Sequence, residues 1–296
     1  MEPDPIPGWA IDWIPAADPT PDGDYVAAIA ILSRRFGEAE FAALPALRIV
    51  ANCAVGFDNI DVEAARRHGV IVTNTPDVLT DATADIAWYL ILAVARRVKE
   101  GETLVREGRW TGWHPQQLLG LELRGATLGI VGAGRIGQAV GRRAEAFGMR
   151  VLYADPTAKP EFEGRAGARR VELRHLLGQA DIVSLHVPST PDTRGLVDDE
   201  FLARMRPGAF LVNTARGDVV REPALVAALE RGHLAGAGLD VFAHEPSVPP
   251  EFIAHPRVVT LPHLGSATVR TRRAMVDLAL RNAREVLAGR APLTPV

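Results

Sequence analysis

The sequence contains a single cysteine, Cys53, so no internal disulfide can form and a reducing, cytoplasmic setting is expected. Neither sign of charge prevails: 33 Lys and Arg stand against 36 Asp and Glu, for a formal net charge of −3. The arginines are spread along the chain, which leaves no electrostatic footprint for nucleic acid. Long apolar runs are missing too. The longest, residues 86–95, falls well short of the ~20 residues that span a bilayer, so no membrane partner is expected. The start carries Glu2, Asp4 and several prolines where a secretory leader would have basic and apolar regions. No metal site is expected. Length and composition, 296 residues with 47% hydrophobic, suit a globular protein of two domains.

Against these absences stands one strongly patterned stretch, TLGIVGAGRIGQAVGRRAEAFGMRVLYAD, residues 127–155. Residues 127–131 are a short apolar run with β-branched members and read as a buried strand. Gly132-Ala133-Gly134-Arg135-Ile136-Gly137 follows at once. Residues 138–147 have helical composition, and Gly148 can close that helix in the left-handed region. A second apolar run, 151–154, ends at Asp155. Each part has a physical task. Gly132 lets the strand turn, Gly134 lets the backbone approach a pyrophosphate, and Gly137 lets the helix pack tightly on the strand. The helix N-terminus offers N–H groups to the anion. Asp155, about 20 residues on, suits the hydroxyls of a ribose. The full context predicts a dinucleotide-binding unit rather than an ordinary glycine-rich turn.

Elsewhere strand-like runs alternate with helical ones, which predicts an α/β fold with parallel sheets. Strands are expected at 9–14, 25–32, 48–52, 70–73, 181–187 and 209–213, with two more ending at Asp240 and Leu261. Helices are expected at 33–44, at 61–68 with Asp61 as cap and Gly69 as stop, and at 222–232. A long helix at 81–99, capped by Asp81, is expected to leave one domain and enter another. Ser266 is expected to cap a last helix that runs back to the first domain. The domains read as 1–94 plus 268–296, and 95–267.

Arg216, Asp240 and His263 each follow an apolar strand directly. In an open α/β sheet, ligands sit outside the carboxyl ends of the strands. Three polar residues far apart in sequence are thus brought to the same edge as the glycine turn. Glu245 follows Asp240 by a short loop. His68, His114, His175, His186 and His244 have no partner in the pattern and read as structural or exposed, and Cys53 as a small packed residue.

The segments ANCAVGFDNID, TNTPDVLTDATAD, GIVGAGRIGQAV, SLHVPSTPDT, LVNTARGDVV, GAGLDVFAHEP and LPHLGSAT, in this order over nearly the whole chain, resemble the D-isomer-specific 2-hydroxyacid dehydrogenase family. GWHPQQLLG and VLTDATAD are most similar to its glyoxylate and hydroxypyruvate reductases. The resemblance implies two Rossmann-like domains, one flavodoxin-like and one dinucleotide-binding, with an active-site cleft between them. It implies a substrate that is a small 2-oxo acid. Arg216 would bind the carboxylate, with backbone N–H groups of Val55 and Gly56. His263 would be the general acid and Glu245 its carboxylate partner. The cofactor would meet Gly132, Gly134, Arg135, Ile136, Gly137 and Asp155 at one end. Thr83, Pro188, Thr193, Thr214, Ala215, Arg216, Asp240, His263 and Gly265 would line the rest. A homodimer is implied, formed through the dinucleotide-binding domain, with Trp113 close to the neighbouring subunit's site.

Two departures carry expectations. Many NADPH-dependent glyoxylate reductases have a small polar residue and an Arg where this chain has Ala154-Asp155-Pro156. A carboxylate there repels a 2′-phosphate, so NADH is the expected cofactor, with Thr157 and Lys159 leaving room for NADPH. The family also begins with a strand–helix unit before the position of Trp9, so the first sheet is expected to be a strand short or the start to be misassigned. Alternatives within the family are phosphoglycerate dehydrogenase, which often carries an extra C-terminal domain, and phosphite dehydrogenase. Formate dehydrogenase has Gln at the position of Glu245. A non-catalytic, NAD-sensing corepressor keeps the same trio, but this chain shows none of the charged or low-complexity tails such a role would use.

Overall fold

The computed structural model describes residues 8–296; the acidic start with Glu2 and Asp4 lies outside the described residues. The chain forms two compact units, Met1–Leu79 with Ser266–Val296, and Thr80–Gly265. Both are α/β with parallel sheets.

In the first unit, β1 (Ala27–Ala30), β2 (Ile49–Asn52) and β3 (Ile71–Thr73) lie side by side in chain order. Side chains alternate across a strand, so each face has its own core. Val50 and Val72 pack with Phe41 of α1 (Glu38–Ala43) and with Ala64 and Ala65 of α2 (Val62–Arg67). Ile49 and Ala51 face the other way, onto Ala279, Ala283 and Val286 of α11 (Val269–Leu287). Asp61 caps α2 as expected, accepting from Ala64 N at 2.9 Å. The last helix is capped by Thr268, which accepts from Thr271 N at 3.0 Å, and not by Ser266. Residues 9–14 are not a strand. Described residues offer them no ladder; Ile11, Trp13 and Ile14 are exposed.

The second unit holds β4 (Thr127–Val131), β5 (Arg150–Ala154), β6 (Arg169–Arg170), β7 (Ile182–Leu185), β8 (Ala209–Asn213), β9 (Leu234–Leu239) and β10 (Val258–Thr260). Their spatial order is β10-β9-β8-β7-β4-β5-β6, and every neighbouring pair is parallel. The chain starts mid-sheet at β4, winds outward through β5 and β6, then returns to the other side of β4 at β7. The switch point is therefore between β4 and β7, where open sheets bind ligands. Helices α3 (Thr80–Ala95), α4 (Val98–Arg106), α5 (Arg135–Ala144), α6 (Pro160–Ala166), α7 (Leu173–Gln179), α8 (Asp199–Arg204), α9 (Glu222–Glu230) and α10 (Pro250–Ala254) complete the unit. Leu128, Ile130 and Ile182 are fully buried in its sheet, each contributing roughly 1.5–3 kcal/mol by leaving water.

The helix expected at 81–99 is two helices, and the units divide at Leu79/Thr80 and not at 94/95. All of α3 belongs to the second unit, because its apolar side is used there. Ala84, Ala87, Leu90, Ile91 and Val94 join one core with Leu128 and Ile130, and Trp88 Nε1 donates to Val140 O of α5 at 3.0 Å. The helix stops where Leu121 N takes the Ala95 carbonyl at 2.8 Å and Arg97 turns left-handed at φ 54°. Gly120 has to be glycine there, since a Cβ would stand 2.2 Å from Ala95 O. Asp81 lies inside the first turn and accepts from Arg143 at 2.9 Å, so it is not the cap.

Candidate active site

The glycine turn leaves β4 at the switch point. Gly132 sits at φ 90°, and its N–H donates to Ala154 O at 2.9 Å. Gly137, in the first turn of α5, lies against the turn's backbone: a Cβ would be 2.1 Å from Gly132 O. Gly134 is different. At φ −71° and ψ −169° any residue would fit its backbone, and a Cβ would meet nothing within 4 Å. Nothing inside the protein requires glycine at 134, which leaves open space against the turn. Arg135 is exposed and Ile136 half-buried at the head of the helix. Asp155 directly follows β5 with its carboxylate turned back: Oδ2 accepts from Ala133 N and Oδ1 from Thr157 N, both at 2.9 Å, and Lys159 Nζ is 3.4 Å from Oδ1.

Beyond β7, Thr193 Oγ1 accepts from Thr190 N at 2.8 Å and donates to Pro188 O, which shapes this loop. Beyond β8, Asn213 brackets the next turn: its Oδ1 accepts from Ala215 N at 2.9 Å and its Nδ2 donates to Arg216 O at 2.8 Å. Thr214 Oγ1 is buried with no hydrogen-bond partner among the described residues. An orphaned hydroxyl on the same sheet edge as an open glycine turn fits a polar ligand along this edge, and these residues fit a dinucleotide.

The residues after β9 and β10 form a corner. His263 has a left-handed backbone at φ 53°, unusual for a residue with a side chain. Asp240 holds it there. Asp240 O accepts from His263 N at 2.9 Å, Oδ1 from Leu264 N at 2.6 Å and Oδ2 from Gly265 N at 2.8 Å. Burial pushes the Asp240 carboxyl above its ordinary range, against the pull of those two N–H groups and of His263. Thr83 and Gly265 adjoin it: a Cβ on Gly265 would lie 3.3 Å from Asp240 Oδ2 and 3.4 Å from Thr83 Oγ1.

His263 Nδ1 meets Glu245 Oε2 at 2.8 Å, and Glu245 Oε1 accepts from Phe242 N at 3.1 Å. Burial raises the Glu245 carboxyl, but the bond and charge of His263, the Phe242 N–H and the charge of Arg216 together outweigh it. The net result is a carboxyl below the ordinary glutamate range. With Nδ1 engaged, Nε2 is the ring nitrogen that can face a substrate. Arg216 extends from the neighbouring loop, its Nη1 donating to Ala215 O at 2.8 Å.

Arg216, Asp240, Glu245 and His263 are thus gathered in the second unit. Val55 and Gly56 lie in the first, in the loop after β2, where Asn74 and Asn52 donate to their carbonyls at 2.8 Å each. The sequence reading passed over Asn213, although it stands inside LVNTARGDVV. Three histidines without a partner in the sequence pattern have one in the structure: His114 Nδ1 accepts from Gln116 N at 3.3 Å, and two more pair with side chains. His68 Nε2 meets Glu38 at 2.7 Å, and His186 Nε2 meets Ser184 Oγ at 2.9 Å. Burial pushes His186 down to about 3, so it stays neutral. Burial also pushes the Cys53 thiol up to about 11, which keeps it protonated and unreactive. Among the described residues no cluster of His, Cys, Asp and Glu could hold a metal ion.

Comparison with known proteins points to one family. The profile of the D-isomer-specific 2-hydroxyacid dehydrogenase NAD-binding domain matches residues 88–265. A glyoxylate reductase of Thermococcus onnurineus is 50% identical over 277 residues, 92% of this chain and 83% of the relative. One from Aeropyrum pernix is 51% identical over 253 residues, 84% of this chain and 76% of the relative. Among solved structures, an NADPH-dependent glyoxylate/hydroxypyruvate reductase of Sinorhizobium meliloti, in complex with NADP and malonate, aligns with TM-score 0.82 at 41% identity. It covers 91% of this chain and 82% of that one. The holo form of Rhodotorula graminis D-mandelate dehydrogenase aligns with TM-score 0.84 at 35% identity, covering 93% and 84%. The chain belongs to the D-isomer-specific 2-hydroxyacid dehydrogenase family.

Proposed function

We propose that this protein reduces glyoxylate and hydroxypyruvate to the corresponding D-2-hydroxy acids, with NADH as the preferred cofactor. The observation that carries the reading is the corner at the end of β10, where a left-handed His263 is paired through Nδ1 with Glu245 beside the Arg216 loop, on the same sheet edge as the glycine turn. Arg216 binds the substrate carboxylate, its planar fork matching two oxygens, and polarises the adjoining carbonyl. His263 delivers a proton from Nε2 to the carbonyl oxygen, and Glu245 stabilises the imidazolium that precedes transfer. The reduced nicotinamide, when bound, supplies the hydride to the carbonyl carbon. In the reverse direction His263 takes the proton from the hydroxyl.

The turn at Gly132, Gly134 and Gly137, with Arg135 and Ile136, is assigned to the pyrophosphate and Asp155 to the adenosine ribose. Thr83, Pro188, Thr193, Thr214, Ala215, Asp240 and Gly265 are assigned to the remainder of the cofactor. The Asp155 carboxylate favours NADH, since a 2′-phosphate beside it would be repelled. Lys159, 3.4 Å away, partly offsets that charge and supports a slower reaction with NADPH.

An initial-rate matrix tests the reading: NADH and NADPH, each with glyoxylate, hydroxypyruvate, pyruvate and phosphohydroxypyruvate. Fast oxidation of NADH by glyoxylate or hydroxypyruvate is expected. A higher kcat/KM with NADPH would overturn the role given to Asp155, and exclusive use of another acid would overturn the substrate. Absence of turnover with any pair, alongside tight NADH binding, would favour a binding protein. A homodimer is part of the proposal. Tyr89, Val105, Trp110 and Trp113 leave a series of exposed apolar side chains on the second unit, which a second copy would cover. Sedimentation velocity reads that state directly.

A further inference from the structure

The Phe242–Ala243 peptide lies between the two halves of the candidate machinery. On one side is Gly217, next to Arg216. A Cβ there would stand 1.8 Å from the Phe242 carbonyl carbon and 2.3 Å from Ala243 N, so backbone lies directly on backbone. On the other side is Glu222, the first residue of α9, whose Oε1 accepts from Ala243 N at 3.0 Å. The preceding N–H, that of Phe242, goes to Glu245 Oε1 at 3.1 Å, and Glu245 Oε2 goes to His263 Nδ1 at 2.8 Å. Successive N–H groups of one turn are thus read by two different carboxylates. Glu222 holds the turn to a helix, and Glu245 uses the turn to face the imidazole.

We infer that Glu222 is a positioning residue: by accepting the Ala243 N–H it orients the 242–245 turn, and so aims Glu245 at His263. It touches neither the imidazole nor Arg216 through any described contact, so its effect is indirect. The acceptor oxygen matters here and the charge does not. The inference rests on the proposed role of His263, and its consequences follow from geometry. A turn freed from α9 lets Glu245 swing, and His263 loses the partner that fixes its tautomer and ring orientation. Displacements of ~1 Å in catalytic groups cost up to ~100-fold in rate.

Three variants in the full chain separate the possibilities. Glu222→Gln keeps an acceptor oxygen at the same reach and should retain wild-type kcat. Glu222→Ala and Glu222→Asp, which lack the oxygen or fall one methylene short, should lower kcat for 2-oxo acid reduction about 10- to 100-fold. KM for the cofactor should not move, because the glycine turn is untouched. Long-range proton–nitrogen correlation on 15N-histidine protein gives a readout that does not depend on turnover. In wild type and Glu222→Gln, His263 should show a bound Nδ1–H; in Glu222→Asp it should show averaged tautomers. Loss of kcat in Glu222→Gln, which keeps the acceptor oxygen and drops the charge, would overturn the inference in favour of a charge effect. An unchanged imidazole spectrum and kcat in Glu222→Asp would overturn it outright. A wild-type protein inactive on every 2-oxo acid, yet with the imidazole response intact, would refute the proposed reaction and leave the positioning role standing.

Discussion

The glycine turn after β4 and the histidine corner after β10 are both strand-end sites on one sheet, and they are built by opposite means. The turn is made by removing side chains. Gly132 and Gly137 are dictated by contacts of 2.7 and 2.1 Å that a Cβ would make with His186 O and Gly132 O. The corner is made by adding carboxylates. Asp240, Glu222 and Glu245 take the N–H groups of residues 264, 265, 243 and 242; Asp240 holds His263 in a backbone conformation it would otherwise avoid, and Glu245 meets its imidazole. A surface built from steric permission accepts a ligand whose own shape defines the fit. A surface built from hydrogen bonds holds a reacting group at a set angle. In the proposed reading the first serves binding alone, while the second adjoins the cofactor and carries the chemistry.

That division can be broken at its strongest point first. His263→Gln should lower kcat for reduction by about 10²–10⁴ while leaving the Kd for NADH, measured by fluorescence, unchanged. A parallel loss of cofactor affinity would mean that the His263 side chain, and not only Asp240 and Gly265 beside it, binds the cofactor. Within the turn, Gly137→Val should destabilise the second unit by about 1–3 kcal/mol, because the new side chain meets backbone, seen as a lower thermal midpoint. Gly134→Ala should leave that midpoint in place, since a Cβ there meets no protein atom within 4 Å, and weaken NADH binding instead. If both variants melted early, the turn would be a packing device only.

The electrostatics of the corner sharpen the comparison further. Glu245 is held below the ordinary glutamate value of 4.5, by His263, Phe242 N–H and Arg216 against the effect of burial. A depressed carboxyl contributes stability above its unfolded value and loses it as pH falls through the folded one. The rate of carbonyl reduction should therefore stay level as pH falls toward 4.5 and drop only below it. In Glu245→Gln that acid limb should vanish from a lower plateau. The smallest effect is expected outside both regions. Trp113 is 83% exposed, so Trp113→Ala should leave the melting temperature alone and shift KM or the ranking of acids by less than about tenfold, on the scale of a lost pocket contact. No shift in either would place Trp113 outside the site.

How far these regions could be read from the sequence follows from how they are built. Glycine-rich turns declare themselves, because strand, turn, helix and terminal acid are contiguous; β4 and β8 match their expectations at both ends, β5 starts one residue early, and α5 starts at Arg135, three residues before the expected helix, because the turn itself opens it. Arg216, Asp240 and His263 were legible as strand-end residues through the topology rule. Their holders were not. Glu222 looked like an ordinary first-turn acid of α9, and Asn213 like a strand terminus, because a hydrogen bond to a backbone 21 residues away leaves no periodic trace. Helix α4 was missed because Gly101 interrupts it and it buries no residue. The break at Arg97 was hidden because its cause, Leu121 N on Ala95 O, lies 26 residues downstream.

The sequence alone determined what depends on neighbours in the chain: the parallel α/β class, the dinucleotide turn, the identity of the residues at the strand ends, and the family. Tertiary structure decided which unit α3 belongs to, the left-handed backbone of His263, and which carboxylate holds which N–H. Those outcomes depend on buried area and on hydrogen-bond partners supplied by distant segments, and such partners exist only once the sheet has formed.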